Sequence, residues 1–315
     1  MNDTDLMRRK VPGISVVIPH YGDPAPTLAL VKRLRDEPHG ADQVIVADDC
    51  SPQPFPPDGA DLVWRGASNR GFGATVNAGA RLANHELLLI MNSDLEPEPG
   101  FVRRLVLAAE EHLPAICSPS LVEDAGSQGT AYKWPDATTQ CVPALLPLAR
   151  FLSRPFFARF TLSDLRCTPG HTVVTDWVAS ACVLLRLEDF ARIGGYDEGF
   201  YMYGEDTDLC RGLALVGVPS VYVGGVQIRH GHGASSDPAR IGLWNAHARF
   251  RYAEKWGFRT KLGVGLAVTS GVNFVYNVAR RVAGKDVRPL ERLRYDVTML
   301  RFGWSRRDPR ESLAL

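Results

Sequence analysis

Apolar positions in the first hundred residues come in short unbroken runs separated by stretches of helical period. Residues 14–18, Ile-Ser-Val-Val-Ile, form a β-branched run that ends in the turn Pro19-His-Tyr-Gly-Asp-Pro24, the pattern of a buried strand feeding a loop. Residues 27–35 have helical period, residues 44–47 predict a second strand running into Asp48-Asp49-Cys50-Ser51, and residues 62–64 predict a third. Residues 73–83 predict a helix, and residues 86–91 a fourth strand that delivers Asn92-Ser93-Asp94. This alternation predicts an α/β fold with a mostly parallel central sheet flanked by helices. Open sheets of that kind bind ligands at the carboxyl ends of their strands, where Asp48, Asp49 and Asp94 fall.

Residues 101–111 predict another helix, whereas residues 123–169 carry scattered prolines without a sustained period and predict irregular chain. Strand character resumes over 172–187, followed by a short helix over 188–193 and a turn at Gly194-Gly-Tyr-Asp197. Residues 205–216 predict a helix, because Leu209, Leu213 and Val216 share one face; Glu205, Asp206 and Asp208 crowd its first turn. Residues 218–223 and 226–228 read as two late strands, the second leading into Arg229-His230-Gly-His232-Gly233. Residues 262–279 are uncharged, but Gly263, Asn273 and Asn277 make them too polar for a membrane span. With Arg259, Lys261, Arg280, Arg281 and Lys285 at its ends, this segment suits either the headgroup region of an anionic leaflet or packing on protein, including a second subunit.

Composition narrows the class. A chain of 315 residues, 45% apolar and 23% charged, can bury a sizeable core. The pattern predicts a catalytic domain over residues 1–255 and a C-terminal helical, basic region over residues 256–315. The net charge of +1 gives no reason to expect a nucleic-acid partner, although residues 280–315 carry a net +5. Six cysteines without a Cys-x-x-Cys pair point to a reduced, cytoplasmic chain, peripheral to the inner face of the plasma membrane if its basic end meets lipid. The basic residues Arg8, Arg9 and Lys10 precede an apolar run that stops at Pro19, too soon for a signal peptide.

Candidate chemistry gathers at the strand ends. A divalent cation carrying a diphosphate needs one or two protein ligands, a duty that suits Asp94, with His230 or His232 as the imidazole partner. Such a mixed donor set suits Mn²⁺ somewhat better than Mg²⁺. The loop Asn69-Arg-Gly-Phe-Gly73 opens a helix and can bring backbone N–H groups and Arg70 to a diphosphate. It is not a dinucleotide fingerprint, because Val76 stands at the third glycine position. The aromatic segment Phe200-Tyr-Met-Tyr203 before the acids offers a stacking platform for a sugar acceptor.

In order along the chain, Val16-Val-Ile-Pro19, Val46-Ala-Asp-Asp-Cys-Ser51, Asn69 to Gly73 with Asn77 and Gly79, Asn92-Ser-Asp94, Trp177-Val-Ala-Ser-Ala-Cys182, Gly194-Gly-Tyr-Asp197, Phe200 to Cys210 and His230 to Ser236 resemble the family 2 glycosyltransferases. Within them the set is similar to the bacterial rhamnosyltransferase-like branch that builds cell-surface polysaccharides. The resemblance implies a GT-A fold whose nucleotide-sugar site includes Pro19, Tyr21, Asp48, Asn69, Arg70, Gly71, Asn77, Asn92 and Ser93. It implies a metal on Asp94 and His230, Asp206 as base, and an acceptor met by Trp177, Tyr203 and Glu205. Three positions depart from the family pattern: Asn92 replaces the first acid of Asp-x-Asp, His20 stands where Thr is frequent, and Ser180 replaces a frequent Gly.

The activity expected is inverting transfer of a sugar, rhamnose favoured, from a dTDP- or UDP-sugar to a hydroxyl of a glycan or lipid-linked glycan. Two rivals stand beside it. One is a catalytically silent nucleotide-sugar-binding or scaffold protein, motivated by Asn92. The other is a metal hydrolase using Glu205, Asp206, Asp208 and the two histidines, which lacks a tight ligand spacing.

Overall fold

The computed structural model describes residues 11–37, 40–123, 126–128, 130–151, 160–231 and 238–310. The basic residues 8–10, His232 and the rest of the glycine-rich turn through Ser236 lie outside the described residues. In chain order the elements are β1 (Ile14–His20), α1 (Pro24–Asp36), β2 (Gln43–Asp48), β3 (Leu62–Arg65), α2 (Phe72–Ala80), β4 (Leu87–Met91), β5 (Leu95–Glu96), α3 (Phe101–Glu110), β6 (Ile116–Glu123), β7 (Gly126–Gln128) and β8 (Ala131–Tyr132). There follow α4 (Ala137–Cys141), a 3₁₀ turn (Leu146–Phe151), β9 (Thr172–Thr175), β10 (Trp177–Val178), β11 (Cys182–Arg186), α5 (Leu187–Arg192), α6 (Glu205–Leu215), β12 (Ser220–His230), α7 (Pro238–Lys255), α8 (Arg259–Val282) and α9 (Pro289–Trp304). They fall into two compact units. Met1–Ala131, Arg166–Glu198 and Leu209–Gly233 form the first, and Tyr132–Leu165, Gly199–Asp208 and Ala234–Leu315 the second.

The first unit is built on one sheet with strand order β3-β2-β1-β4-β11-β6-β12-β5. β1 pairs in parallel with β2 and β4, and β2 with β3, as the alternating pattern predicts. Beyond β4 the sheet is mixed: β11 runs antiparallel to both β4 and β6, and β6 runs parallel to β12. The two reversals cancel. His230 at the end of β12 therefore emerges at the same sheet edge as Asp48 and Asn92, after β2 and β4.

β2, β4 and all but the last residue of β11 are fully buried, which is why their sequences are unbroken apolar runs rather than alternations. α2 packs so closely on β1 that a Cβ at Gly79 would lie 2.6 Å from a Val17 methyl. The amphipathic α3 adds Phe101, Val102, Leu105 and Val106 to the core. The two late strands expected at 218–223 and 226–228 are one strand, β12, with a register shift between Val223 and Gln227. Gly224 sits at that irregularity because the 168–171 loop presses on it; a Cβ there would lie 2.6 Å from the Thr168 and His171 carbonyl oxygens.

Much of the stretch expected to be irregular is ordered into short pieces. Asp136 caps α4 by accepting the Thr139 N–H at 2.7 Å while the Thr139 hydroxyl accepts from the Asp136 N–H at 2.9 Å. In the second unit α7, α8 and α9 pack with α4 around Cys141, Phe250, Ala253 and Leu262. Inward-facing Asn273 fixes the 3₁₀ turn, accepting from the Leu146 N–H at 2.8 Å and donating to the Ala144 carbonyl at 2.9 Å.

Candidate functional site

The carboxyl edge of the sheet collects the chemistry of the first unit. β5 and β12 pair antiparallel with His230 opposite Leu95, and the Gly231 N–H donates to the Asp94 carbonyl at 2.8 Å. That pairing brings the two side chains together: His230 Nε2 lies 3.2 Å from Asp94 Oδ1, both groups about one-fifth exposed. Two donors on adjacent vertices of an octahedral ion, with bonds of about 2.1 Å, stand about 3 Å apart. Asp94 and His230 thus fit a single divalent cation. Among the described residues no group of three His, Cys, Asp or Glu side chains could hold a metal, so the remaining positions would fall to phosphate oxygens and water.

Asp48 and Asp49 end β2 with different duties. Asp48 is wholly buried, its Oδ1 accepting the Ser51 N–H at 2.8 Å, its Oδ2 the Phe55 N–H at 3.2 Å, with Arg65 paired alongside. Burial works to raise its pKa, but the hydrogen bonds from Ser51, Phe55 and Arg65 outweigh it and hold the carboxyl below its ordinary value. The side chain is thereby enclosed in its own loop, leaving Tyr21, 59% exposed, as the more accessible group at this end. Asp49 instead accepts the Arg70 and Gly71 N–H groups, each at 2.8 Å. It therefore shapes the Asn69–Gly73 loop predicted to cradle phosphate. Burial raises its pKa against those same hydrogen bonds.

Arg70 is half-exposed and ion-paired with Glu198. Asn77, predicted to meet the nucleotide, is buried with its amide engaged: Nδ2 donates to the Tyr196 carbonyl at 2.9 Å and Oδ1 accepts the Tyr196 N–H at 2.9 Å. Gly195 (φ 74°) lies against that amide, leaving no room for a side chain. Asn77 is thus a brace for the 194–198 turn that presents Glu198 to Arg70. Pro19, Asn69, Asn92, Ser93 and Trp177 are partly buried, and the Asn92 N–H donates to the Ala181 carbonyl at 2.8 Å. His20 is buried, with Nδ1 2.8 Å from the Thr27 hydroxyl and burial lowering its pKa.

The acidic cluster belongs to the second unit. Tyr203 (φ 69°) and Gly204 (φ 79°) are consecutive left-handed residues that turn the chain into α6, a strained conformation for a tyrosine. Glu205 is buried, and its Oε2 has no hydrogen-bond partner. Burial first, and then the charge on Asp206, push its pKa up to about 8, so it holds its proton at neutrality. Asp206 is half-buried, its Oδ1 accepting the Thr207 N–H at 2.7 Å. Asp208 is structural: it accepts from Lys255 Nζ at 2.7 Å and from Trp256 Nε1 at 3.0 Å. The expected aromatic platform is reduced to Tyr203, because Phe200 and Tyr201 are core residues, Phe200 against Ala248 and Tyr252 and Tyr201 edge-on to Trp244.

The loop-shaping role of Asp49, and Glu198 altogether, were not foreseen from the sequence. Asp49 had a signal in its place beside Asp48; Glu198 had none, being 128 residues from its partner Arg70.

The model of the family described as "Glycosyl transferase family 2" matches residues 15–163, which contain β1 from its second residue, β2, β4, the phosphate-loop candidate and Asp94. This stretch of the chain is thus similar to glycosyl transferase family 2. It is 28% identical over 260 residues to the O-antigen biosynthesis protein RfbC of Myxococcus xanthus, covering 77% of this chain and 19% of that protein. It is 29% identical over 193 residues to the N-acetylglucosaminyl-diphospho-decaprenol L-rhamnosyltransferase of Mycobacterium tuberculosis, covering 58% and 61% of the two chains. The chain therefore spans less than two thirds of either relative. Its fold is GT-A, similar to that of the mannosyltransferase PcManGT from Pyrobaculum calidifontis in complex with GDP-Man and Mn²⁺. That likeness has a TM-score of 0.52 at 12% identity over 96% of this chain and 90% of that one.

Proposed function

We propose that this chain transfers a sugar, rhamnose by its relatives' names, from a nucleoside-diphosphate donor to a hydroxyl of a cell-surface or lipid-linked glycan. The observation that carries this reading is the pairing of Asp94 with His230 at 3.2 Å, on the sheet edge that also bears the Asn69–Gly73 loop. A divalent cation held by that pair, Mn²⁺ or Mg²⁺, would offset charge on the departing diphosphate. Backbone N–H groups of the loop and Arg70, released from Glu198, stabilise the same charge. Asp206 accepts the proton of the acceptor hydroxyl as it attacks the anomeric carbon in line, giving inversion. The proton held on Glu205 keeps the adjacent charge to one, so that Asp206 is the acceptor of protons and its neighbour is not.

Asp206→Asn tests the assignment. Transfer should fall by about 10²–10⁴-fold with donor affinity unchanged, and wild-type turnover in that variant would refute the base. Donor identity follows from binding shifts with dTDP-rhamnose and UDP-hexoses, with and without Mn²⁺. Asn92 favours a second reading, a silent nucleotide-sugar-binding protein, because it leaves one acid fewer for the metal. Turnover of any donor with an acceptor eliminates it.

A further inference from the structure

Helix α8 is inside out. Its buried positions include Thr269, Asn273 and Asn277, while Val264, Val268, Val272, Val275, Val278 and Val282 are between 39% and 84% exposed. At 3.6 residues per turn these valines, with Ala267 and Ala279 beside them, cover an arc of about 140°. No charge interrupts residues 262–279. Water-facing helices have the opposite arrangement.

We propose that this face of α8 is a membrane-docking surface, lying in the plane of an anionic bilayer with the valines in the acyl boundary. Three observations choose lipid over a second copy of the chain. First, the arc is wider than the narrow seam of a helix pair and lacks the charged flanks that border such seams in water. Second, both ends are basic, with exposed Lys261 before the apolar stretch and Arg280, Arg281 and Lys285 after it. Third, an exposed aromatic ring lies at the far end under a guanidinium, Arg280 being 5.7 Å from the Tyr276 ring centre; the Trp304 ring of α9 is exposed as well, although its neighbour Arg259 is largely buried and ion-paired with Glu254. Aromatic and arginine groups concentrate at headgroup level, where one end of the side chain is apolar and the other is wet. Against the expectation that residues 262–279 are too polar to span, α8 is long and apolar enough to cross a bilayer by length and composition. It lies flat instead, because its inner face is bound to α9, which carries Glu291, Arg292, Arg294, Asp296 and Arg301. This surface does not depend on the catalytic assignment.

The experiment is co-flotation of the full chain with vesicles of phosphatidylcholine alone and of equal parts phosphatidylcholine and phosphatidylglycerol. Wild type should float with the anionic vesicles, and high salt should weaken the association. Val268→Glu combined with Val275→Glu should reduce the bound fraction at least tenfold. Glutamate is a better helix former than valine and both sites are exposed, so unchanged circular dichroism will separate lost docking from lost folding. Val268→Leu should bind as wild type does. Arg280→Gln with Arg281→Gln should abolish the preference for anionic over neutral vesicles. Wild type that stays out of both vesicle types overturns the proposal. So does a glutamate variant that floats normally, or a soluble dimer in light scattering that the glutamates split while vesicle binding is absent.

Discussion

The buried carboxyl of Glu205, one oxygen of which has no hydrogen-bond partner, makes the stability of the second unit depend on pH, in a direction opposite to that of an ordinary paired carboxylate. A pKa raised from 4.5 to about 8 means that the neutral form is favoured in the folded state by about 5 kcal/mol. Below about pH 4.5 the folded and unfolded chains both hold the proton, and the contribution is fully present. As pH rises the unfolded chain releases the proton while the folded chain keeps it. Stability therefore falls by up to about 1.4 kcal/mol per pH unit until the folded carboxyl also ionises. Integrated from about pH 5 to about pH 8, the loss is about 3–4 kcal/mol. Glu205→Gln removes the titration while keeping the shape. Urea unfolding of both proteins across that range should show wild type losing about 3–4 kcal/mol more than the variant. Parallel curves would mean that Glu205 is ionised in the folded chain, and the division of roles between Glu205 and Asp206 would fall with it.

Asp49→Ala strips the acceptor from two loop N–H groups and should cost about 2–4 kcal/mol of stability, with weaker donor binding; calorimetry with a nucleoside diphosphate checks it, and unchanged affinity would show that the loop holds itself. Asn77→Ala removes the brace on the 194–198 turn and should cost about 1–3 kcal/mol in denaturant melts. Chelation should abolish transfer and added Mn²⁺ restore it, with His230→Ala raising the Mn²⁺ needed for half-activity at least tenfold; activity indifferent to chelator would remove the metal from the proposal.

The sequence by itself determined the parallel half of the sheet. Strands buried on both faces must be unbroken apolar runs, so β1, β2 and β4 are visible in composition alone, and the residues after them mark the ligand edge. It also determined the start of α6, because the helical period of Leu209 and Leu213 fixes where Glu205 and Asp206 fall. β6 was hidden by Cys117, Ser118, Pro119 and Ser120, which blur strand alternation, and pairing with β7, β11 and β12 defines it. Tertiary structure alone decided which polar groups meet. Asp94 and His230 are joined by a two-residue strand pair, Arg70 and Glu198 by a turn that Asn77 braces, and Asp49 by loop N–H groups. Hydrogen bonds and ion pairs act over about 3 Å, and residues far apart in sequence reach that range only when the chain has folded.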